Sequence, residues 1–184
     1  MEADATQLAR IVRLPEISLS HANLQGARMI GVCLREVTMV RINLRKAFLL
    51  DAHLEDSVLL HADLYGANLR GADLSRANLY DANLERANLF RAELSGADLR
   101  TANLEGALLI SANLKGADLR AANLKDARLA GVILDASTIL PDATIWEPGT
   151  SMKRFTDPSH PKFYQPKWAQ RVNGTKAKNE VFAD

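Results

Sequence analysis

The chain has 184 residues with 23 basic and 22 acidic side chains, a formal net charge of +1, and an aromatic content of only 5%. This balance, with no basic stripe, argues against direct nucleic-acid binding. No run of 18 apolar residues and no signal-peptide pattern occurs, so we expect no membrane span and, if the chain is complete, a cytoplasmic protein. The single cysteine, Cys33, excludes an internal disulfide.

Residues 1–12 are predicted to form a short N-terminal capping helix. Asp4 or Thr6 is suited to N-cap a helix that runs through Val12, and Pro15 would end it. Open ends of a repeat array expose apolar side chains and unpaired backbone groups, so a cap is expected there.

A five-residue repeat dominates residues 13–140. Leucine stands at every fifth position from Leu44 to Leu134, nineteen times without an exception. The same frame extends back to Leu14 and forward to Ile139, which gives 26 pentads. Such self-similarity is typical of a repeat protein.

A second column of small residues lies two positions before each centre. It is alanine from Ala62 through Ala127 without a break, and Asn or Asp usually stands between the two columns, as at Asp63 and Asn83. The unit is therefore A-(D/N)-L-x-x.

The period of five excludes a straight helix and a straight strand. A helix would rotate successive leucines by about 140° and scatter them around its circumference. A strand would point successive leucines to opposite faces because five is odd. We therefore expect a short extended segment and a corner in every pentad, with the columns facing inward and the coils stacked about 4.8 Å apart. Glycines fall at the expected corners: Gly26, Gly66, Gly96, Gly106 and Gly116.

The run ANLRGADLSRANLYDANLERANL resembles the pentapeptide-repeat family, and the likeness extends over about residues 12–140. This resemblance implies an all-β fold, a right-handed quadrilateral β-helix with four pentads per coil and about six and a half coils. Centres 20 residues apart would then stack on one face. An independent sign of that period is an unbroken column of amide and acid side chains at Asn23, Asn43, Asp63, Asn83, Asn103 and Asn123.

In this arrangement one face carries outward apolar side chains, which we take as a candidate partner-binding stripe: Ile30, Phe48, Leu50, Phe90, Leu108 and Ile110. A shorter stripe lies on the opposite face: Val40, Val58, Leu60 and Tyr80. Contiguous apolar surface usually marks a contact site. Three covers are open: the C-terminal tail, a homodimer mate or a different protein.

The end of the chain departs from the repeat. Residues 141–150 are predicted to form a C-terminal cap in which Trp146 plugs the last coil. Residues 151–184 are rich in Pro, Lys, Asn and Gly, and we expect an irregular, extended tail that docks by its aromatic side chains or is partly disordered.

Residues that carry chemistry are scarce, and we expect no catalytic, cofactor or metal site. The histidines share no short ligand spacing, and the carboxylates recur because the repeat recurs. The predicted function is therefore a non-enzymatic protein-binding scaffold or regulatory module. The alternative that the resemblance supplies is modulation of DNA gyrase by DNA mimicry. It is disfavoured because the 26 pentads hold 15 basic and 15 acidic residues, whereas a mimic of phosphates needs a markedly acidic surface.

Overall fold

The computed structural model describes residues 18–172, with side chains described through residue 169. The predicted capping helix at residues 1–12 and the first repeat centre, Leu14, lie outside the described residues, as does the tail from residue 173. The N-terminal cap and the total of six and a half coils therefore stay predictions.

Parallel bridges join each turn of the chain to the next. They pair residues 20 positions apart from Ser18 with Thr38 through Asn113 with Ile133, and each paired residue directly precedes a repeat centre. The extended segments are short, so among residues 18–172 the pairing consists of isolated bridges and no longer strand. Four pentads thus make one coil, as the period of 20 predicts.

A corner follows every centre. In the pentad of Leu44, the N–H of Ala47 donates to the carbonyl of Leu44 at 3.0 Å, and Lys46 between them has a φ of 55°. Positive φ recurs at every fifth residue from His21 to Gly131, and only eight of these 23 corners are glycine. A positive φ at the third of the four turn residues, here Lys46, is characteristic of a type II turn. The predicted corner in every repeat is confirmed.

The pentad of residues 42–46 uses all five of its backbone N–H groups. Asn43, Leu44 and Lys46 donate to carbonyls of neighbouring coils at 2.8–2.9 Å, and Ile42 donates to the preceding centre at 3.3 Å. The fifth N–H, of Arg45, donates to the side-chain Oδ1 of Asn43 at 3.1 Å. The Asn or Asp of the repeat therefore serves the backbone, since it accepts the one N–H that no carbonyl reaches.

Both inner columns form the core. The centres from Met39 through Leu124 and the alanines from Ala47 through Ala122 are buried. In the first described coil, Leu19, Leu24 and Leu34 are only partly buried and pack against this core from its end. The predicted inward orientation of the two columns is confirmed.

The last coil departs from the predicted repeat frame. Ile139 is wrong as a centre, because it takes the bridging position opposite Asp118, 21 residues away, and Leu140 is the buried residue. One extra residue enters at 135–137. Thr138 then occupies the alanine column, where its hydroxyl donates to the carbonyl of Leu114 at 3.0 Å.

Residues 141–172 cross the C-terminal end of the coil stack and contain two short helices, α1 (Lys153–Thr156) and α2 (Lys167–Val172). Phe155 of α1 is 1% exposed and joins the core, against which Trp146 also packs. The N–H of Asp126 donates to the carbonyl of Thr156 at 2.7 Å, and the indole N–H of Trp168 donates to the carbonyl of Ala121 at 2.8 Å. This part of the tail is thus docked by its aromatic side chains. Within residues 18–172 no helix combines the length and apolar character needed to cross a membrane.

Ser57 provides a test of the inner column. It stands at an alanine position, is fully buried, and its hydroxyl has no hydrogen-bond partner among the described residues. On folding, the Ser57 hydroxyl loses its hydrogen bonds to water and gains none in return. We therefore expect Ser57→Ala to raise the free energy of unfolding by about 1 kcal/mol in a denaturant titration. The matched control is Thr138→Val, which removes a bonded hydroxyl and should lower it by about 1 kcal/mol. A lower stability of Ser57→Ala would contradict this account.

Asp135 provides a pH test of the extra residue. Its carboxylate accepts the Ser137 hydroxyl at 2.6 Å and the backbone N–H groups of Ser137 and Gly116 at 3.0 and 3.1 Å. The Ser137 hydroxyl is the main cause that lowers the pKa of Asp135 below its usual value of about 3.9. Since the folded pKa is the lower one, this stabilisation is complete above the usual value and is lost as the pH falls through the lowered value.

We therefore expect Asp135→Asn to be less stable than the parent protein at pH 7 and to approach it in stability at about pH 3. Urea titrations at both pH values would measure this. A difference that stays constant with pH would show that the ionised carboxylate does not hold the last coil.

Candidate protein-interaction surface

The four sides of the coil stack are named by their inward centres. Face 1 runs from Leu24 to Leu124, face 2 from Met29 to Leu129, face 3 from Leu34 to Leu134 and face 4 from Leu19 to Leu119. On each face, the residues directly before and after a centre point outward. Side chains at equivalent positions of successive coils therefore lie about 4.8 Å apart.

All six residues of the predicted stripe lie on face 2, in two groups. The first group, patch A, is Ile30, Phe48 and Leu50; the second, patch B, is Phe90, Leu108 and Ile110. Ile30 is 54% and Phe48 42% exposed, and the other four are half-buried. Whether these residues bind a partner stays a prediction.

Each patch contains a pentad without the side-chain acceptor that serves the backbone in most of the repeat. Phe48 and Leu108 stand where the repeat has Asn or Asp, and the N–H groups of Leu50 and Ile110 have no hydrogen-bond acceptor within residues 18–172. By contrast Asn88, in the same pentad as Phe90 of patch B, accepts the N–H of Phe90 at 3.1 Å. The local hydrogen bond is therefore given up where a large apolar side chain replaces the Asn or Asp itself. Departures from local consistency of this kind are expected at functional sites.

Arginines accompany the two patches. The guanidinium of Arg28 lies 5.6 Å from the ring centroid of Phe48, and Arg70 lies 5.3 Å and Arg91 5.0 Å from that of Phe90. Arg128 follows patch B on the same face. These arginines are absent from the predicted site residues because a charge count over the whole repeat block hides them. Sorting the charges by face with the period of 20 would identify them.

Face 2 differs electrostatically from the other sides. Its outward positions hold three arginines, Arg28, Arg70 and Arg128, and no acidic residue. None of the three forms an ion pair or a side-chain hydrogen bond with any residue in the described range. On the other faces the outward basic residues form ion pairs, except Lys115: Arg35 with Glu55, Arg45 with Asp63, Arg100 with Asp98, Arg120 with Asp118 and Lys125 with Glu105.

The described part of the tail does not cover face 2. Its bonds reach Asp142 and two corners at the end of the stack, Ala121 between faces 4 and 1 and Asp126 between faces 1 and 2. Cover of the stripe by the tail, one of the three expected alternatives, is thus not seen for residues 151–169.

The second predicted stripe, on face 4, is less open. Val40, Val58, Leu60 and Tyr80 are all half-buried. Tyr80 lies between the ring of His61, with centroids 6.1 Å apart, and the guanidinium of Arg100, 5.4 Å from its centroid. Its charged neighbours are already paired, so face 4 presents fewer free groups than face 2.

A polar cluster on face 3 contains the most buried acid of the repeat block. Arg35 pairs with the buried Glu55 at 2.6 Å, and the nearby Asp73 accepts the hydroxyl of Ser75 at 2.5 Å. Burial works to raise the pKa of Asp73, but the hydrogen bonds from Ser75 and Glu55 and the positive charge of Arg35 together outweigh it and hold the pKa below its usual value. Each charge here has an internal partner, which fits a role in stability. Across residues 18–172 no three His, Cys, Asp or Glu residues are grouped so that they could hold a metal ion.

Comparison with known proteins gives family members with the same repeat. A pentapeptide repeat protein, Rfr23 from the cyanobacterium Cyanothece 51142, is 32% identical, over 61% of this chain and 90% of that one, with a TM-score of 0.60. HetL from Nostoc sp. strain PCC 7120, involved in heterocyst differentiation regulation, is 36% identical over 70% of this chain and 66% of its own, with a TM-score of 0.38. QnrB1, a plasmid-mediated fluoroquinolone resistance protein, is 20% identical over 61% of this chain and 79% of its own, with a TM-score of 0.28. Among curated protein sequences none matches.

The family profile described as pentapeptide repeats matches residues 12–39, 39–76, 67–106 and 102–135 in 8 copies, which is well over half of the chain. Members of this family form right-handed quadrilateral β-helices. The chain belongs to the pentapeptide-repeat family.

Proposed function

We propose that this protein is a non-enzymatic binding scaffold that holds a partner protein on face 2 of its coil stack. The observation that carries the proposal is the exchange of Asn or Asp for Phe48 and Leu108. At both positions a backbone hydrogen bond is forgone and a large apolar side chain is placed in water, which costs stability unless another molecule covers it.

The architecture favours recognition over catalysis. The coil stack is filled by leucine and alanine, so a partner meets side chains on flat outer faces. Pairing between coils fixes these side chains at regular spacings, and a pre-ordered surface loses little conformational entropy on binding. We propose a reducing setting such as the cytoplasm, which suits an exposed, unpaired Cys33.

DNA mimicry is the less supported alternative. It requires rows of acidic groups, yet the only charged outward side chains of face 2 are arginines. The acids of face 4, Asp98 and Asp118, form ion pairs with Arg100 and Arg120. Faces 1 and 3 have only a small excess of outward acids over bases, and several of those acids are paired. A supercoiling assay with purified gyrase tests the alternative directly, and we expect no inhibition or protection at micromolar concentrations of the protein.

Restoring the repeat residue on face 2 should separate binding from folding. In the variant Phe48→Asn, Leu108→Asn each new side chain can accept the N–H two residues on, so we expect unchanged or higher stability. The same change removes the apolar side chains from the proposed contact, so partners captured from a lysate of the source cells should be lost. Thermal unfolding and mass spectrometry of the captured proteins measure the two effects.

The matched control makes the same replacement on other faces. Val58 on face 4 and Ile133 on face 3 also stand at the Asn or Asp position and point outward. The variant Val58→Asn, Ile133→Asn should keep every partner. Loss of partners from this control, or their retention by the face 2 variant, would refute the assignment of the contact to face 2.

A further inference from the structure

The partner of face 2 can be characterised from the charges that surround its two patches, an inference that rests on the proposed function. We infer that face 2 binds an acidic protein segment whose carboxylates alternate with apolar side chains. Along the face the order is Arg28, patch A, Arg70, patch B, Arg128. The acidic groups of the segment would meet the arginines, and its apolar groups would meet the two patches.

Three features of the arginines support a carboxylate partner. They are exposed, and they have no ion pair or side-chain hydrogen bond within residues 18–172, so their N–H donors are free. A guanidinium donates two parallel hydrogen bonds to a carboxylate. Arg28 and Arg70 are also held against the rings of Phe48 and Phe90, which reduces the side-chain entropy lost on binding.

The dimensions of the face fit an extended segment. Arg28 and Arg128 belong to coils five steps apart, or about 24 Å at the usual spacing of 4.8 Å. A strand of about seven residues covers that length at roughly 3.3 Å per residue. Arg70 lies two steps from Arg28 and three from Arg128, so acidic groups three to four residues apart would reach all three.

Other occupants fit less well. A second copy that paired face 2 with face 2 would bring arginines together and supply no acid. A nucleic acid strand presents a phosphate about every 3.4 Å, whereas face 2 offers three arginines over about 24 Å, with the apolar patches A and B between them. An anionic membrane would accept both arginines and apolar groups, but it has no order that matches the alternation on this face.

Selection from a displayed library of random 12-residue peptides on the full-length protein tests the inference and requires no identified partner. We expect the enriched peptides to be acidic and to contain Leu, Ile, Phe or Trp between the acids. Selection that enriches neutral or basic peptides would overturn the inference. Peptides that also bind Phe48→Asn, Leu108→Asn equally would overturn the proposed function as well.

Charge-neutral variants separate the two ideas. Binding of an enriched peptide should weaken about tenfold or more in Arg28→Gln, Arg70→Gln, Arg128→Gln and should fall as salt is raised. The control Arg41→Gln, Lys115→Gln, Lys153→Gln removes the same charge from exposed residues off face 2 and should bind as the parent does. If the arginine variant binds as the parent does but the Phe48→Asn, Leu108→Asn variant does not, face 2 is the contact and its acidic partner is refuted.

Further binding measurements test the other possible occupants of face 2, which are a membrane, a nucleic acid and a second copy of the chain. Sedimentation with phosphatidylserine vesicles and gel shift with a 30-base-pair duplex should show no binding at 0.15 M salt. Binding of either probe that is lost in the arginine variant would overturn the inference in favour of a membrane or a nucleic acid. Sedimentation velocity of the protein alone should give a monomer, and a dimer abolished by Phe48→Asn, Leu108→Asn would assign face 2 to a second copy.

Discussion

The structure depends on how each pentad satisfies its five backbone N–H groups. In most pentads three reach neighbouring coils, one closes the corner, and the fifth meets the Asn or Asp side chain of its own pentad. The corner requires positive φ, which fifteen non-glycine residues adopt at a cost of about 1 kcal/mol each. That cost is sustained because a corner at any other position would rotate leucine and alanine away from the core. Corner, core and coil pairing therefore stabilise one another.

The sequence predicts a coil because a strict period of five suits neither a straight helix nor a straight strand, and the family resemblance implies its four sides. The prediction fails where the period ceases to be informative. Ile139 and Leu140 are both apolar, so the pattern alone could not show which of them faces inward. The hydroxyl of Thr138, which finds an acceptor on Leu114, helps to fix the shifted frame. Likewise, composition indicates docking aromatics without showing that Phe155 is fully buried. Such choices depend on contacts across the end of the stack, which local pattern does not encode.

For the candidate surface too, the sequence predicts the positions of the residues but not their exposure. The face that each of Ile30, Phe48, Leu50, Phe90, Leu108 and Ile110 occupies follows from the period of 20, and the structure places all six together. Their exposures do not follow from it, since Phe90 is half-buried between Arg70 and Arg91 while Ile30 is open. Pairing of arginine with aromatic rings depends on side-chain reach between adjacent coils. The period supplies the neighbours, and the side-chain chemistry decides which of them interact.

A net charge near zero has a particular meaning in a rod of this kind. The four faces of the rod point into solvent in different directions. At physiological salt, charges on opposite faces are largely screened from one another. A partner on face 2 therefore meets Arg28, Arg70 and Arg128 and is little affected by Asp98 or Asp118 on the opposite face 4. Evolution of a repeat scaffold can alter one column of outward residues while the inner columns stay fixed, because the core and the backbone pairing between coils do not require a particular side chain at most outward positions. Recognition by such a protein is thus determined by the residues of one face. The net charge of the whole chain does not show the charge of the face that a partner contacts.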